Sequence, residues 1–113
     1  MNEIKIRRGR SKVIEAPVIY RDGSALSLES GDVVRFAVRA SADGETLINK
    51  TMIYDDNENK VALTLAPADT SSLELGHYYY DIAIDFSDGT FYDLVEWSEF
   101  DLLPSAAQDG GAG

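Results

Sequence analysis

The sequence contains no cysteine and only one histidine among its 113 residues. Disulfide bonds and thiolate metal sites are therefore excluded. A nucleophile–histidine–acid set would have to use His77, which follows Gly76 in a predicted strand, and this position favours an ordinary surface histidine. No apolar run has the length of a membrane span, and the first residues show no signal-peptide pattern. We therefore expect cytoplasmic synthesis without secretion and no membrane partner.

Positive charge is scarce and unevenly distributed. Ten Lys+Arg stand against twenty Asp+Glu, which gives a net charge of −10 and argues against nucleic acid as the main partner. Residues 1–40 hold eight of the basic residues and five acidic ones. The sequence predicts a basic N-terminal arm, with Arg7, Arg8 and Arg10 as candidate contact residues. Such an arm could meet the acidic body of another copy and close a ring. The alternative, that this polarity only affects solubility, stays open.

What the sequence does contain is a series of short β-type runs separated by turn signals, with no sustained helical period. These runs cover residues 3–8, 12–20, 32–40, 46–54, 60–66, 78–86 and 91–103. A helical turn is expected within residues 67–75, after Pro67. The pattern predicts one all-β domain over residues 1–103, an immunoglobulin-like antiparallel β-sandwich of about seven strands with Greek-key connections. Residues 104–113 are small and polar, and we expect a disordered tail or linker there.

Three local features refine this prediction. In the third run, Ala40 shares a face with the buried positions of the strand. Asp88-Gly89 is a strong signal for a two-residue hairpin between the last two runs. The final run changes its apolar phase, because Tyr92 and Leu94 alternate on one face and Val95 and Trp97 on the other. A β-bulge near residues 93–96 accounts for this change.

The stretch "LELGHYYYDIAIDF" has the pattern of a tyrosine corner. In this motif a tyrosine near the start of strand F bonds to the backbone a few residues upstream. The corner residues are Leu73, Gly76, Tyr78 and Tyr80, and Tyr80 occupies the place where disulfide-bearing members have a cysteine. Alternation sends Tyr78 and Tyr80 inward with Ile82, Ile84 and Phe86. It leaves His77, Tyr79, Asp81, Ala83 and Asp85 outward, so Tyr79 is the one tyrosine of the three available to a partner.

Acidic residues are plentiful but do not predict a catalytic or metal site. Asp81 and Asp85 share a face, with Glu96 and Glu99 on the neighbouring strand, yet glycosidase chemistry needs two carboxyls at a fixed separation in a cleft. A solvated acidic sheet face is the favoured interpretation. The loop at residues 55–59 resembles the start of an EF-hand but continues with Lys60 where glycine is required. A looser calcium site at this loop stays open; we predict no catalytic residue, no metal and no cofactor.

Residues 30–104 resemble the immunoglobulin-like domains of tailed-phage and prophage structural proteins. The closest comparison is the N-terminal domain of baseplate upper proteins. The resemblance is carried by "SGDVVRFAV" and by a corner and hairpin that include Thr70, Leu73, Gly76, Tyr78, Tyr80, Asp81 and Ile82. The sequence departs from this family at Ser98, where a glycine is usual. The resemblance implies a non-enzymatic baseplate, tail or head-fibre adaptor that contacts other phage structural proteins or itself.

A second interpretation belongs to a different functional class. Tyr79, Tyr92 and Trp97, if exposed together on one sheet, would suit a carbohydrate- or surface-binding module, because aromatic rings stack on sugars. Together with Asp81, Asp85 and the three arginines, these aromatic residues are the candidate partner-binding residues. An enzyme would instead require a deep cleft with converging carboxylates.

Overall fold

A computed structural model describes residues 3–20, 22–41 and 43–104. Its strands are β1 (Ile4–Arg7), β2 (Lys12–Pro17), β3 (Val33–Arg39), β4 (Thr46–Asp55), β5 (Lys60–Leu65), β6 (Gly76–Asp85) and β7 (Phe91–Leu103). One short helix, α1 (Pro67–Ser71), lies in the predicted helical segment. Residues 105–113, most of the predicted tail, lie outside the described residues. No helix in the described ranges is long and apolar enough to span a bilayer.

The strands form one seven-stranded sheet in the order β1-β7-β6-β3-β4-β5-β2. All seven contribute side chains to a single core, so the sheet folds over on itself. The all-β prediction is confirmed, but the prediction of a wholly antiparallel sheet is wrong. β1 pairs in parallel with β7, with Ile4 opposite Phe100. The short connection after Arg7 carries the chain to β2 at the other end of the sheet instead of closing a hairpin with it.

The alternation of apolar and polar residues in the two central strands is largely as predicted. Val34, Phe36 and Val38 of β3 are buried. On the neighbouring β6, the four residues Tyr78, Tyr80, Ile82 and Ile84 are buried as well. The prediction for Ala40 is wrong: it is exposed, because β3 ends one residue earlier at Arg39.

Two single-residue bulges account for the change in apolar alternation along β7. Tyr80 pairs with Ser98, Ile82 with Val95 and Ala83 with Asp93. At each of these two steps β7 therefore contains one more residue than β6. With regular pairing, Glu96 would face Ile82 and the core. The first bulge places Val95 there instead, which avoids burial of a charged group.

The second bulge also determines the length of the β6–β7 hairpin. It sets Asp85 opposite Phe91, which leaves Phe86 and Thr90 as the closing pair. The loop therefore has three residues, and the prediction of a two-residue turn at Asp88-Gly89 is wrong. The Gly89 amide donates to the Phe86 carbonyl at 3.0 Å, and Gly89 has a φ of +95°. A glycine at positive φ ending a three-residue loop is a common hairpin geometry.

The start of β6 is tied to the loop before it by Tyr78. Its hydroxyl donates to the Glu74 carbonyl at 2.5 Å, the contact expected of a corner tyrosine. Leu73 is partly buried against the core, and Gly76 has a φ of +142° at the first residue of the strand. Tyr80 packs between Phe36 and Phe100, with ring centroids 5.5 and 6.5 Å away, and its burial raises the pKa of its hydroxyl to about 12.

The basic N-terminal segment begins with β1, the first predicted strand, which is hydrogen-bonded into the sheet beside β7. A tight turn joins β1 to β2. We call residues 7–12, which comprise this turn with the last residue of β1 and the first residue of β2, the basic turn. The amide of Gly9, at a φ of +77°, donates to Thr70 Oγ1 at 2.9 Å, and Thr70 is fully buried. The amide of Arg8 donates to the Leu103 carbonyl at 2.8 Å. These contacts fix the turn against α1 and the end of β7.

The corner hydrogen bond gives the first testable prediction. Tyr78→Phe removes the hydroxyl and keeps the ring, so the free energy of unfolding should fall by about 1 kcal/mol. Urea denaturation measures this change. The control is Tyr79→Phe on the outward side of the same strand, which should change stability by less than about 0.5 kcal/mol. Equal losses in both variants would contradict a special role for the corner contact.

A second prediction concerns the anchor of the basic turn. Thr70→Val keeps the shape of the side chain but leaves the buried Gly9 amide without its acceptor. The free energy of unfolding should therefore fall by about 1–3 kcal/mol, measured by denaturant unfolding. Thr64→Val, at an exposed position of β5, is the matched control and should be close to neutral. A neutral Thr70→Val variant would show that the turn does not depend on this bond.

Candidate functional site

The outward side of the β3–β6–β7 part of the sheet gathers four of the eight predicted contact residues, Tyr79, Asp81, Asp85 and Trp97. We call it the outer face. It comprises His77, Tyr79, Asp81, Ala83 and Asp85 of β6, Asp93, Trp97, Glu99 and Asp101 of β7, and Arg35 and Arg39 of β3. The alternation of each strand places its residues there, Trp97 included, and the second bulge of β7 turns Asp93 to this side after the first bulge has reversed the alternation. The face is an open sheet surface.

A stacked aromatic pair lies on this face. The rings of Tyr79 and Trp97 are nearly parallel, with an interplanar angle of 14° and centroids 5.1 Å apart. Trp97 retains 41% of its surface exposed. Tyr79 lies opposite Glu99 on β7 and opposite Arg39 on β3, so charged residues flank the pair on both sides. The two rings form a flat apolar surface that is bordered by charged side chains.

Next to the aromatic pair, two carboxylates approach one another. Asp81 is partly buried, and burial is the main cause that raises the pKa of its carboxyl. The negative charge of Asp93 raises this pKa further, while Arg39 acts in the opposite direction. Both effects that raise the pKa disfavour the ionised form of Asp81. A cation brought to this point would therefore be stabilised.

Asp85, a further predicted contact residue, forms an ion pair with Arg35 of the same chain. Its carboxylate accepts a hydrogen bond from Arg35 Nε at 2.7 Å, and both side chains are about half exposed. The pair lies across β6 and β3 and neutralises the charge at this end of the outer face. Exposed pairs of this kind contribute little to stability.

At the opposite end of the face, His77 contacts Asp101. His77 Nδ1 lies 2.7 Å from Asp101 Oδ1, and this hydrogen bond is the main cause that raises the pKa of the imidazole. Carboxylate oxygens of Glu3, Glu99 and Asp101 lie within 4.8 Å of one another. The sequence did not predict this group, because Glu3 joins it only through the parallel pairing of β1 with β7.

Tyr92 does not join Tyr79 and Trp97. It lies opposite Ile84, which is a buried position, and its ring packs edge-to-face on Tyr20 with centroids 5.3 Å apart. The interpretation that groups three exposed aromatic residues on one sheet is therefore wrong for Tyr92. The second bulge is the cause, since it turns Asp93 outward and Tyr92 toward the core side.

The three candidate arginines lie apart from the aromatic pair. Arg7, Arg8 and Arg10 belong to the basic turn, at the end of the sheet where β1 and β7 finish. Arg7 Nη1 donates to the Pro104 carbonyl at 2.9 Å, and Arg8 Nη1 donates to the Leu73 carbonyl at 3.3 Å. Both of these contacts are made to backbone carbonyls. The turn is a second charged surface of opposite sign.

The loop at residues 55–59 uses its polar groups for its own structure. Asp55 Oδ1 accepts from the amides of Asn57 and Glu58 at 2.9 and 3.3 Å. Asn59, at a φ of +53°, accepts from the Tyr54 hydroxyl and donates its side-chain amide to the Val18 carbonyl. These bonds explain the polar sequence of the loop as turn chemistry.

Comparison with known proteins finds similar solved structures but no matching family. Neither the protein-family models nor the curated proteins contain a match to this chain. Among solved structures, murine CRIg is similar, with a TM-score of 0.41 and 13% sequence identity over 93% of each chain. A likeness of this degree carries no argument about function.

The contact between His77 and Asp101 predicts a pH dependence. A raised folded-state pKa means that protonated His77 stabilises the fold fully below the unfolded value of about 6.5, and that this contribution is lost as pH rises through the folded pKa. The stability advantage of the native chain over His77→Gln should therefore shrink from about pH 6 upward. Denaturant unfolding of both chains across this range measures it, and NMR titration should give a His77 pKa above 6.5. A pKa at or below that value would contradict the contact.

Proposed function

We propose that this chain is a non-enzymatic structural module of a phage or prophage particle that works by protein–protein contact through its outer face. In finer terms we propose an immunoglobulin-like sandwich with Greek-key connections. Strand β4 would serve both layers, since residues 46–52 pair with β3 and residues 53–55 pair with β5. The layers would be β1-β7-β6-β3-β4 and β4-β5-β2, which matches the strand neighbours of an immunoglobulin domain.

The observation that carries the contact function is the stacked pair of Tyr79 and Trp97. Aromatic residues are enriched at the centres of protein interfaces, where they supply large contact areas with little loss of side-chain freedom. Here they lie on an exposed strand surface with charged residues around them. An apolar centre with a polar rim is the usual anatomy of such an interface.

The phage context of the proposal rests on the sequence resemblance over residues 30–104. The baseplate, tail or head-fibre location follows from that resemblance, and so does assembly with other particle proteins. The open shape of the outer face supports an adaptor role, because its side chains project from a broad sheet surface that a partner can cover.

Purified phage particles from the source strain test this proposal. After prophage induction, quantitative mass spectrometry should find the chain in a fixed ratio to the major tail or capsid protein. Trp97→Ala should lower its incorporation, because the centre of the contact is removed. Ile53→Ala is the matched control, since Ile53 is 74% exposed but lies outside the outer face. Particles with a complete set of other structural proteins and none of this chain would contradict the proposal.

The partial exposure of Trp97 also favours a second candidate, a carbohydrate-binding module. Trp97 is the only tryptophan in the sequence, so its fluorescence reports directly on this site. Sugar binding predicts a saturable change in emission on titration with oligosaccharides and loss of that change in Tyr79→Ala. Constant emission across a panel of oligosaccharides would leave protein contact as the function of the face.

A further inference from the structure

We propose that the basic turn of one copy docks on the outer face of a second copy. The inference deepens the proposed function, because it uses the same face and names the partner. It differs from the sequence prediction of a basic arm, since the cationic segment is a fixed turn and the acidic surface has a defined centre at Tyr79 and Trp97.

The basic turn concentrates charge on a rigid support. Residues 7–12 hold four of the ten Lys+Arg residues of the chain, and no acidic residue occurs between Glu3 and Glu15. The backbone is held by the bonds from Gly9 to Thr70 and from Arg8 to Leu103. Because the turn is already ordered, docking costs little backbone entropy.

The outer face has the complementary charge. Asp81, Asp93 and Glu99 surround the aromatic pair, Arg39 of β3 lies opposite Tyr79, and Arg35 pairs with Asp85 at the far end of the face. An arginine of the turn can stack on Trp97 and approach the carboxylates of Asp81 and Asp93. Guanidinium groups favour both contacts, the aromatic face and the carboxylate pair.

The two surfaces lie on different parts of one molecule, so the contact joins unlike patches. The side chains of Arg7 and Arg8 reach the carbonyls of Pro104 and Leu73 at the end of the sheet, whereas the aromatic pair lies on its broad outward side. When the basic turn of one copy docks on the outer face of another, the pair still has one unoccupied outer face and one unoccupied basic turn. Repetition of such a heterologous contact gives a ring or a filament.

Sedimentation velocity of the full chain tests the proposal at 150 mM salt, where the repulsion due to the net charge is screened beyond about 8 Å. A turn variant, R10Q/K12Q, keeps the face intact; a face variant, Y79S/W97S, keeps the turn intact. S27E/N57E changes the net charge as much as the turn variant does, at exposed loop positions outside both surfaces. It is the matched control for charge. Circular dichroism verifies that each variant is folded.

The expected result is that the native chain and the charge control self-associate, and that each docking variant weakens self-association about tenfold or more. An equimolar mixture of the two docking variants should then form a one-to-one complex, because the face of one meets the turn of the other. A native chain that stays monomeric up to about 1 mM would overturn the proposal. So would a mixture without complex formation, which is the outcome for any contact between like patches. Neither failure affects the particle test of the proposed function.

Discussion

The conflict between the apolar pattern of β7 and regular strand pairing is the constraint on which the rest of this structure depends. Regular pairing would direct Glu96 into the core. After one bulge it would still direct Asp93 toward buried Ile84. Each bulge adds one residue at the point where a carboxylate would otherwise be buried, and an apolar or aromatic side chain, Val95 and then Tyr92, takes the inward position. The outer face depends on the same arrangement, because the two bulges bring Asp93 opposite Ala83, beside Asp81, on the side to which alternation directs Trp97.

The face is carried by β6, whose position is fixed from both ends. At its start, Tyr78 bonds to Glu74, and α1 immediately before it holds Thr70 against the basic turn. At its end, the three-residue loop closes on Phe86 and Thr90. The segment from α1 to Tyr78 thus contacts the basic turn and leads into the acidic outer face. Both surfaces therefore lie on one rigid framework. Rigid presentation lowers the entropy cost of any contact made through these surfaces.

Much of this arrangement could be predicted from the sequence, because it follows from local alternation. The inward tyrosines, the corner residue Tyr78 and a phase change near residues 93–96 are all properties of single strands. What could not be predicted depends on pairing between distant strands. The parallel partner of β1, the grouping of Glu3 with Asp101 and the inward turn of Tyr92 follow from register, which the alternation of one strand does not encode. The length of the hairpin loop is set by the second bulge and not by Asp88-Gly89 alone.

The central claim is that the outer face is a docking surface for a basic segment of another copy. Amide chemical shifts of the 15N-labelled chain, recorded from dilute to concentrated solution, test it most directly. The account predicts that shifts change together at two places, around Tyr79 and Trp97 on the outer face and at residues 7–12 of the basic turn. Changes confined to the exposed apolar residues Val13 and Ile53, with both of these surfaces unaffected, would contradict it.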